Sequence, residues 1–167
     1  MPQVKTRVDA GVMNKFSYAI IVLGALTLSG CQTMSSVDTA GTNLTANNQG
    51  GIAARKTSAA KTQFEAGNYG LAQKDFLAAV EATPRNGAAW LGLAASYDQL
   101  GRFDLAEKSY QELLKLEGRK PAILNNYGYS YILRGDITKA RSLMNEARAL
   151  SPVNARIEAN WNLAYAS

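Results

Sequence analysis

The stretch 94–110, AASYDQLGRFDLAEKSY, decides the fold, because its arrangement of small and large residues is repeated on both sides at a fixed distance. Around Gly101 stand Ala94 seven positions before, Phe103 two after, Ala106 five after and Tyr110 nine after. The same offsets around Gly67 give Ala60, Tyr69, Ala72 and Phe76, and around Gly135 they give Gly128, Ile137, Ala140 and Met144. The three glycines are 34 residues apart, and the columns agree in size as well as in polarity. One position before the small column come Ala59, Leu93 and Tyr127. A period of this length, held across several columns, is the signature of stacked supersecondary units.

Each unit reads as a helix, a tight turn at Asn68, Arg102 or Asp136, and a second helix. A glycine before the turn permits the left-handed backbone that ends the first helix. Apolar residues recur at helical spacing, as in Leu93, Tyr97 and Leu100 or Leu143, Ala147 and Leu150, and no part of the repeat region alternates with period two. Pro84 and Pro152 follow the first and third units, where a second helix must stop for want of an N–H donor; the middle unit has Gly118 in that slot and Pro121 after it. The period with Trp90, Leu93, Tyr97, Gly101, Ala106, Tyr110 and the terminal prolines resembles the tetratricopeptide repeat. The fold expected is all-α: a solenoid with repeats at about 53–86, 87–120 and 121–154 and a capping helix over 155–167. Lys56 and Gln63 replace aromatic or leucine residues of the later units, so the first helix is expected to fray. In the cap, Ile157, Trp161 and Tyr165 recur on one face, with Glu158, Asn160 and Asn162 on the wet side, so Trp161 is expected to pack against the last repeat.

The beginning of the chain reads differently. Lys5, Arg7 and Lys15 precede an apolar run from Phe16 to Leu28 that ends in Leu28-Ser29-Gly30-Cys31. The run falls short of the ~20 apolar residues of a comfortable span and has the proportions of an export signal, from either Met1 or Met13. Leu-Ser-Gly-Cys resembles the bacterial lipobox, which implies a signal peptide over 1–30, diacylglycerol on Cys31 and a lipid-anchored mature protein. Gln32 in place of aspartate implies the outer membrane, on the leaflet that faces the periplasm. Residues 31–52, rich in Ser, Thr, Asn and Gly, read as a flexible tether with a reach of roughly 25 Å.

Composition narrows the functions. The formal charge of +5 falls to +3 once the signal region is set aside, and acidic residues such as Glu107, Glu112, Glu117 and Glu146 are interspersed, which argues against nucleic-acid binding. The chain has no histidine and one cysteine, so Ser-His-Asp relays, Cys-His nucleophiles and histidine zinc sites are excluded. Asp98, Asp104 and Glu107 stand close in sequence but read as solvated helix faces rather than an acid–base pair. No catalytic residue, cofactor, metal or small-molecule substrate is expected.

The family resemblance implies that first helices line a concave groove for a protein segment. Mapped onto this chain, that face is Lys61, Phe64 and Glu65, then Leu91, Asp98 and Gln99, then Asn125, Tyr129 and Ile132. The slots of a carboxylate clamp hold Thr57, Lys61, Gly92, Ala122 and Asn126, so a clamp is absent and a mixed apolar and hydrogen-bonding groove is expected. Arg119 and Lys120 form a basic loop that reads as solvated. The whole layout, with Asn125 to Ala147 and Asn160 to Leu163, resembles the lipoproteins of tight-adherence (Tad/Flp) pilus assembly. That implies a scaffold whose partner is a pilus-system subunit or secretin in the envelope. The alternatives are an adaptor for cell-wall hydrolases or synthases, and an envelope enzyme acting on glycan or peptide.

Overall fold

The computed structural model describes residues 38–166, with side chains from residue 48 onward; the expected signal peptide and Cys31 lie outside the described residues. Seven helices follow in order: α1 (Asp38–Glu65), α2 (Tyr69–Ala82), α3 (Gly87–Gln99), α4 (Phe103–Glu117), α5 (Pro121–Arg134), α6 (Ile137–Leu150) and α7 (Ala155–Ala166). Among the described residues there is no strand. Helices pack as the pairs α1–α2, α3–α4 and α5–α6, each pair against the next, and α7 closes on α5 and α6. The first helices also touch one another in succession, α1 on α3 and α3 on α5, so they share one face of the stack. This is the expected solenoid with its cap.

The turns inside each pair are built alike. Gly67, Gly101 and Gly135 take φ of 77°, 69° and 79°, the left-handed region that costs glycine nothing. The next residue then reaches back five positions: the N–H of Asn68 donates to the Gln63 carbonyl at 2.9 Å, Arg102 to Tyr97 at 2.8 Å and Asp136 to Tyr131 at 3.0 Å. These bonds satisfy carbonyls that a helix end would leave without partners. Between pairs, Gly118 (φ 74°) ends α4 and Pro121 opens α5, where a missing N–H is harmless.

The repeat columns become the core. Ala72, Ala106 and Ala140 are fully buried, as are Ala60 and Ala94, and Phe76, Tyr110 and Met144 fill the space between helices. Gly128 completes the small column: a Cβ there would stand 3.0 Å from the Met144 methyl. Gly92 is tighter still, since its Cβ would fall 2.2 Å from the Phe76 ring. In α7, Ile157 and Ala164 are buried. Trp161 packs half-buried, its indole N–H donating to Asn145 Oδ1 at 2.7 Å, while Tyr165 stacks on it at 4.3 Å and stays largely exposed.

At the start of the array the structure departs from the sequence reading. Helix α1 begins at Asp38, inside the segment read as tether. Ala53, Thr57 and Ala60 form its buried stripe, whereas Asn48, Gln49, Gly50 and Ile52 are exposed, so packing anchors only the second half. Once that half is nucleated, extending it upstream adds a hydrogen bond per residue without a new nucleus, and polar composition does not forbid it. Lys56, expected to loosen the helix, reaches Asp75 on α2 with Nζ at 2.7 Å, and Gln63 accepts from Asn68 at 2.9 Å.

Two glycine substitutions therefore have opposite signs. Gly92→Ala forces a methyl into the Phe76 ring and lowers stability by about 1–3 kcal/mol through overpacking. Gly51→Ala meets nothing closer than the Arg55 guanidinium at 3.9 Å and raises stability by about 0.5–1 kcal/mol through helix propensity. Urea denaturation of both variants measures the contrast.

Candidate functional site

Two adjoining clefts run along the face shared by α1, α3 and α5. One, of about 350 Å³, is lined by Phe64, Ala95, Asp98, Gln99, Tyr110, Asn126, Tyr129, Arg156 and Asn160. The other, of about 380 Å³, is lined by Lys61, Phe64, Glu65, Phe76, Ala88, Leu91, Gly92, Ala95 and Arg156. Phe64, Ala95 and Arg156 belong to both, so the clefts form one groove. Its apolar floor comes from α1, α2 and α3, and its polar groups from Lys61 and Glu65 on α1, Gln99 on α3, Asn126 on α5 and Arg156 and Asn160 on α7.

The structure brings Lys61, Phe64, Glu65, Leu91, Asp98, Gln99 and Tyr129 into this groove. Two residues mapped there lie elsewhere. Asn125 is 2 % exposed, and its Oδ1 accepts from Asn160 Nδ2 of the cap at 3.2 Å. Ile132 is half-buried and packs against the core. One residue along a helix is a rotation of about 100°. Asn126 and Tyr129 therefore share the groove side of α5, and Asn125 turns toward α7.

Sequence mapping missed Ala88, Ala95, Asn126, Arg156 and Asn160. Ala88, Leu91, Ala95 and Gln99 follow helical spacing along α3, so the periodicity that placed Leu91 could have placed the alanines. Arg156 and Asn160, one turn apart on α7, reach the groove only because the cap folds back beside α5. Nothing in the local sequence marks them.

Asp98 does not read as the solvated carboxylate that its charge suggested. It is 5 % exposed, Ser130 Oγ donates to its Oδ1 at 2.6 Å, and Tyr110 OH donates to its Oδ2 at 3.1 Å. Burial raises its pKa above the ordinary carboxylate value, only partly offset by those two donors. The Tyr110 phenol is in turn pushed well above its usual pKa by burial and by the adjacent Asp98 charge.

Beside it, Glu107 accepts from Tyr127, from Tyr131 at 3.0 Å and from Arg134 Nη1 at 2.8 Å. Burial would raise Glu107, but the hydrogen bonds from Tyr127, Arg134 and Tyr131 together outweigh it and hold the carboxyl below its usual pKa. Arg134 also donates to Ser130 Oγ at 2.9 Å and lies 4.6 Å from the Tyr131 ring centre. The network ties α3 and α4 to α5 and sets the register of the second and third repeats. Both acids have their oxygens occupied by donors. Among the described residues, no group of His, Cys, Asp and Glu could hold a metal ion, and no helix is long and apolar enough to cross a membrane.

Stacked antiparallel helix pairs with a lined concave face define a helical-repeat solenoid. A model of the tetratricopeptide repeat matches residues 57–116 and 96–155, and the chain belongs to that family. Among solved structures, the second tetratricopeptide domain of human RPAP3, in complex with the HSP70 peptide SGPTIEEVD, is 17% identical, with 72% of this chain and 98% of that one covered at a TM-score of 0.62. Pseudomonas aeruginosa pilF is 22% identical over 71% of this chain and 55% of its own length, with a TM-score of 0.63. PcrH, in complex with the chaperone binding region of PopD, is 27% identical over 67% of this chain and 84% of its own, with a TM-score of 0.57. No curated protein sequence matches the chain. The first two likenesses are of fold.

Glu107→Gln tests the inter-repeat network. A depressed folded-state pKa contributes stability that is complete above the unfolded value, near 4.5, and is lost as pH falls through the folded one. At neutral pH the variant is less stable by about 1.5–3 kcal/mol, the loss of hydrogen bonds to a charged acceptor. Urea titrations at successively lower pH show the gap narrowing as the wild-type carboxylate is itself protonated.

Proposed function

We propose that this chain is a non-catalytic scaffold of the bacterial envelope, tethered through lipid on Cys31 to the outer membrane, whose groove holds a segment of a pilus-system subunit or secretin during assembly of a Tad/Flp-type pilus. One observation carries the binding role. The groove spans both clefts and is lined by partly exposed apolar side chains from the first helices, Phe64, Leu91 and Tyr129, with amides and charges at its rim. Such a surface suits an extended or helical segment, which buries apolar side chains and presents its backbone to amides. The peptide complexes of the RPAP3 domain and of PcrH support that use of the fold. The pilus context is supported by the likeness to pilF and by the resemblance of the amino-terminal layout to pilus lipoproteins.

Affinity capture of the full chain from the intact envelope tests the binding role. Ala95 is half-buried on the wall common to both clefts, and Ala95→Arg fills them while its charged end stays in solvent. Wild type co-purifies with a secretin or pilus subunit. The Ala95→Arg variant, with an unchanged melting temperature, loses it by at least about tenfold, the scale of a single well-packed contact region. Equal recovery by both proteins refutes the groove, and recovery of cell-wall hydrolases instead redirects the reading to the adaptor.

Anchoring has its own check. Cys31→Ser leaves a protein that takes up no fatty-acid label and no longer fractionates with the outer membrane. Unchanged fractionation refutes the lipid anchor.

A further inference from the structure

We infer that the segment held in the groove is acidic and, since Thr57, Gly92, Ala122 and Asn126 stand in the slots of a terminal-carboxylate clamp, internal: an apolar side chain enters the cleft beside Leu91, and a neighbouring Asp or Glu side chain is held by Arg156 and Lys61. The inference rests on the binding role proposed above and adds the chemistry of the occupant.

Arg156 is exposed and borders both clefts, and a third formed with Ala122, Asn126 and Val153, so its side chain flanks whatever lies along the groove. The guanidiniums of Arg119, Arg134 and Arg148 each have a carboxylate, on Glu146, Glu107 and Glu158 respectively. Arg156 has none among the described residues, and neither has Lys61 on the opposite wall. The carboxylates that could balance them are fewer. Glu65 is exposed at the same rim, but Asp98 is buried and both its oxygens are taken by Ser130 and Tyr110. An acidic segment thus meets two open cations, and a basic one meets a single open carboxylate and two like charges. A planar guanidinium can take a carboxylate through two parallel hydrogen bonds, which fixes its position along the groove.

The polar rim suits an extended backbone beside that carboxylate. Asn126 donates its amide to the Ala122 carbonyl at 2.7 Å, and Asn160 donates its amide to Asn125 at 3.2 Å. Each keeps an oxygen that can accept a backbone N–H. On the other side, Phe64, Ala88, Leu91 and the Phe76 ring, seated against Gly92, make an apolar floor on which an apolar group can pack. The cation over an apolar cleft comes from the capping helix and the first repeat, the two ends of the array.

A phage library of short random segments, fused to the coat protein at their carboxyl ends so that no terminal carboxylate is free, can be selected on the full chain held in detergent by a carboxyl-terminal tag. Recovered segments are expected to be enriched in Asp or Glu next to an apolar residue. A synthetic peptide from that set should bind the Arg156→Gln and Lys61→Gln variants each roughly three- to tenfold more weakly, and added salt should weaken it on wild type. Arg156→Lys, which keeps the charge but loses the fork, should weaken binding less than Arg156→Gln does. Recovery without acidic enrichment, no recovery at all, or recovery only from a companion library with free carboxyl ends overturns the inference. Binding lost in Ala95→Arg but indifferent to both charge substitutions overturns it and leaves the groove standing. Binding indifferent to Ala95→Arg as well removes both.

Discussion

The array depends on how closely the two helices of a pair can approach. A ring or thioether from the second helix can occupy the space between helices only where the facing side chain is a methyl or nothing. Within the third pair Gly128 accommodates Met144, and the buried Ala60 and Ala94 stand in the same small column of the first two pairs; between the first pair and the second, Gly92 accommodates Phe76. Interiors are packed densely enough that a single added carbon is felt, so these positions fix the distance between helices. That distance sets where the next pair docks, and the succession of first helices then creates the concave face.

A polar constraint is laid over the packing one. Asp98, Ser130, Tyr110, Glu107, Tyr127, Tyr131 and Arg134 form a nearly continuous set of hydrogen bonds between the second and third repeats. Apolar packing alone tolerates small slides of one repeat on the next, whereas donors and acceptors at fixed distances do not, because a displaced buried carboxylate loses partners that water cannot replace. The Tyr110–Tyr127 stack, with ring centres 4.7 Å apart, lies in the same seam. Asp98 thus belongs both to this seam and to the floor of the groove, and it couples the shape of the binding surface to the register of the repeats.

Much of this was legible in the chain. The repeat period located the turns, the glycines and the buried columns, since local backbone geometry and residue size are properties that sequence carries directly. Where it misled, the cause was direction. Asn125 and Asn126 are adjacent in sequence and differ by one step of helical rotation, which decides that the first is enclosed against the cap and the second faces the groove. Asp98 reads as a surface acid, yet the helix turns it inward onto Ser130, thirty-two positions away. Residues 38–52 read as tether by composition, and a helix anchored farther along extends through them.

What the sequence determined by itself is the unit: two helices, a left-handed glycine between them, and small residues where they cross, all consequences of steric rules that act over a few turns of backbone. What only the tertiary structure decided is the groove's polar edge. Arg156 and Asn160 on α7 line the same clefts as Lys61 and Phe64 on α1 because successive pairs stack on one another and the cap folds back beside α5. Such convergence is a property of the packed whole, and no local pattern of residues encodes it.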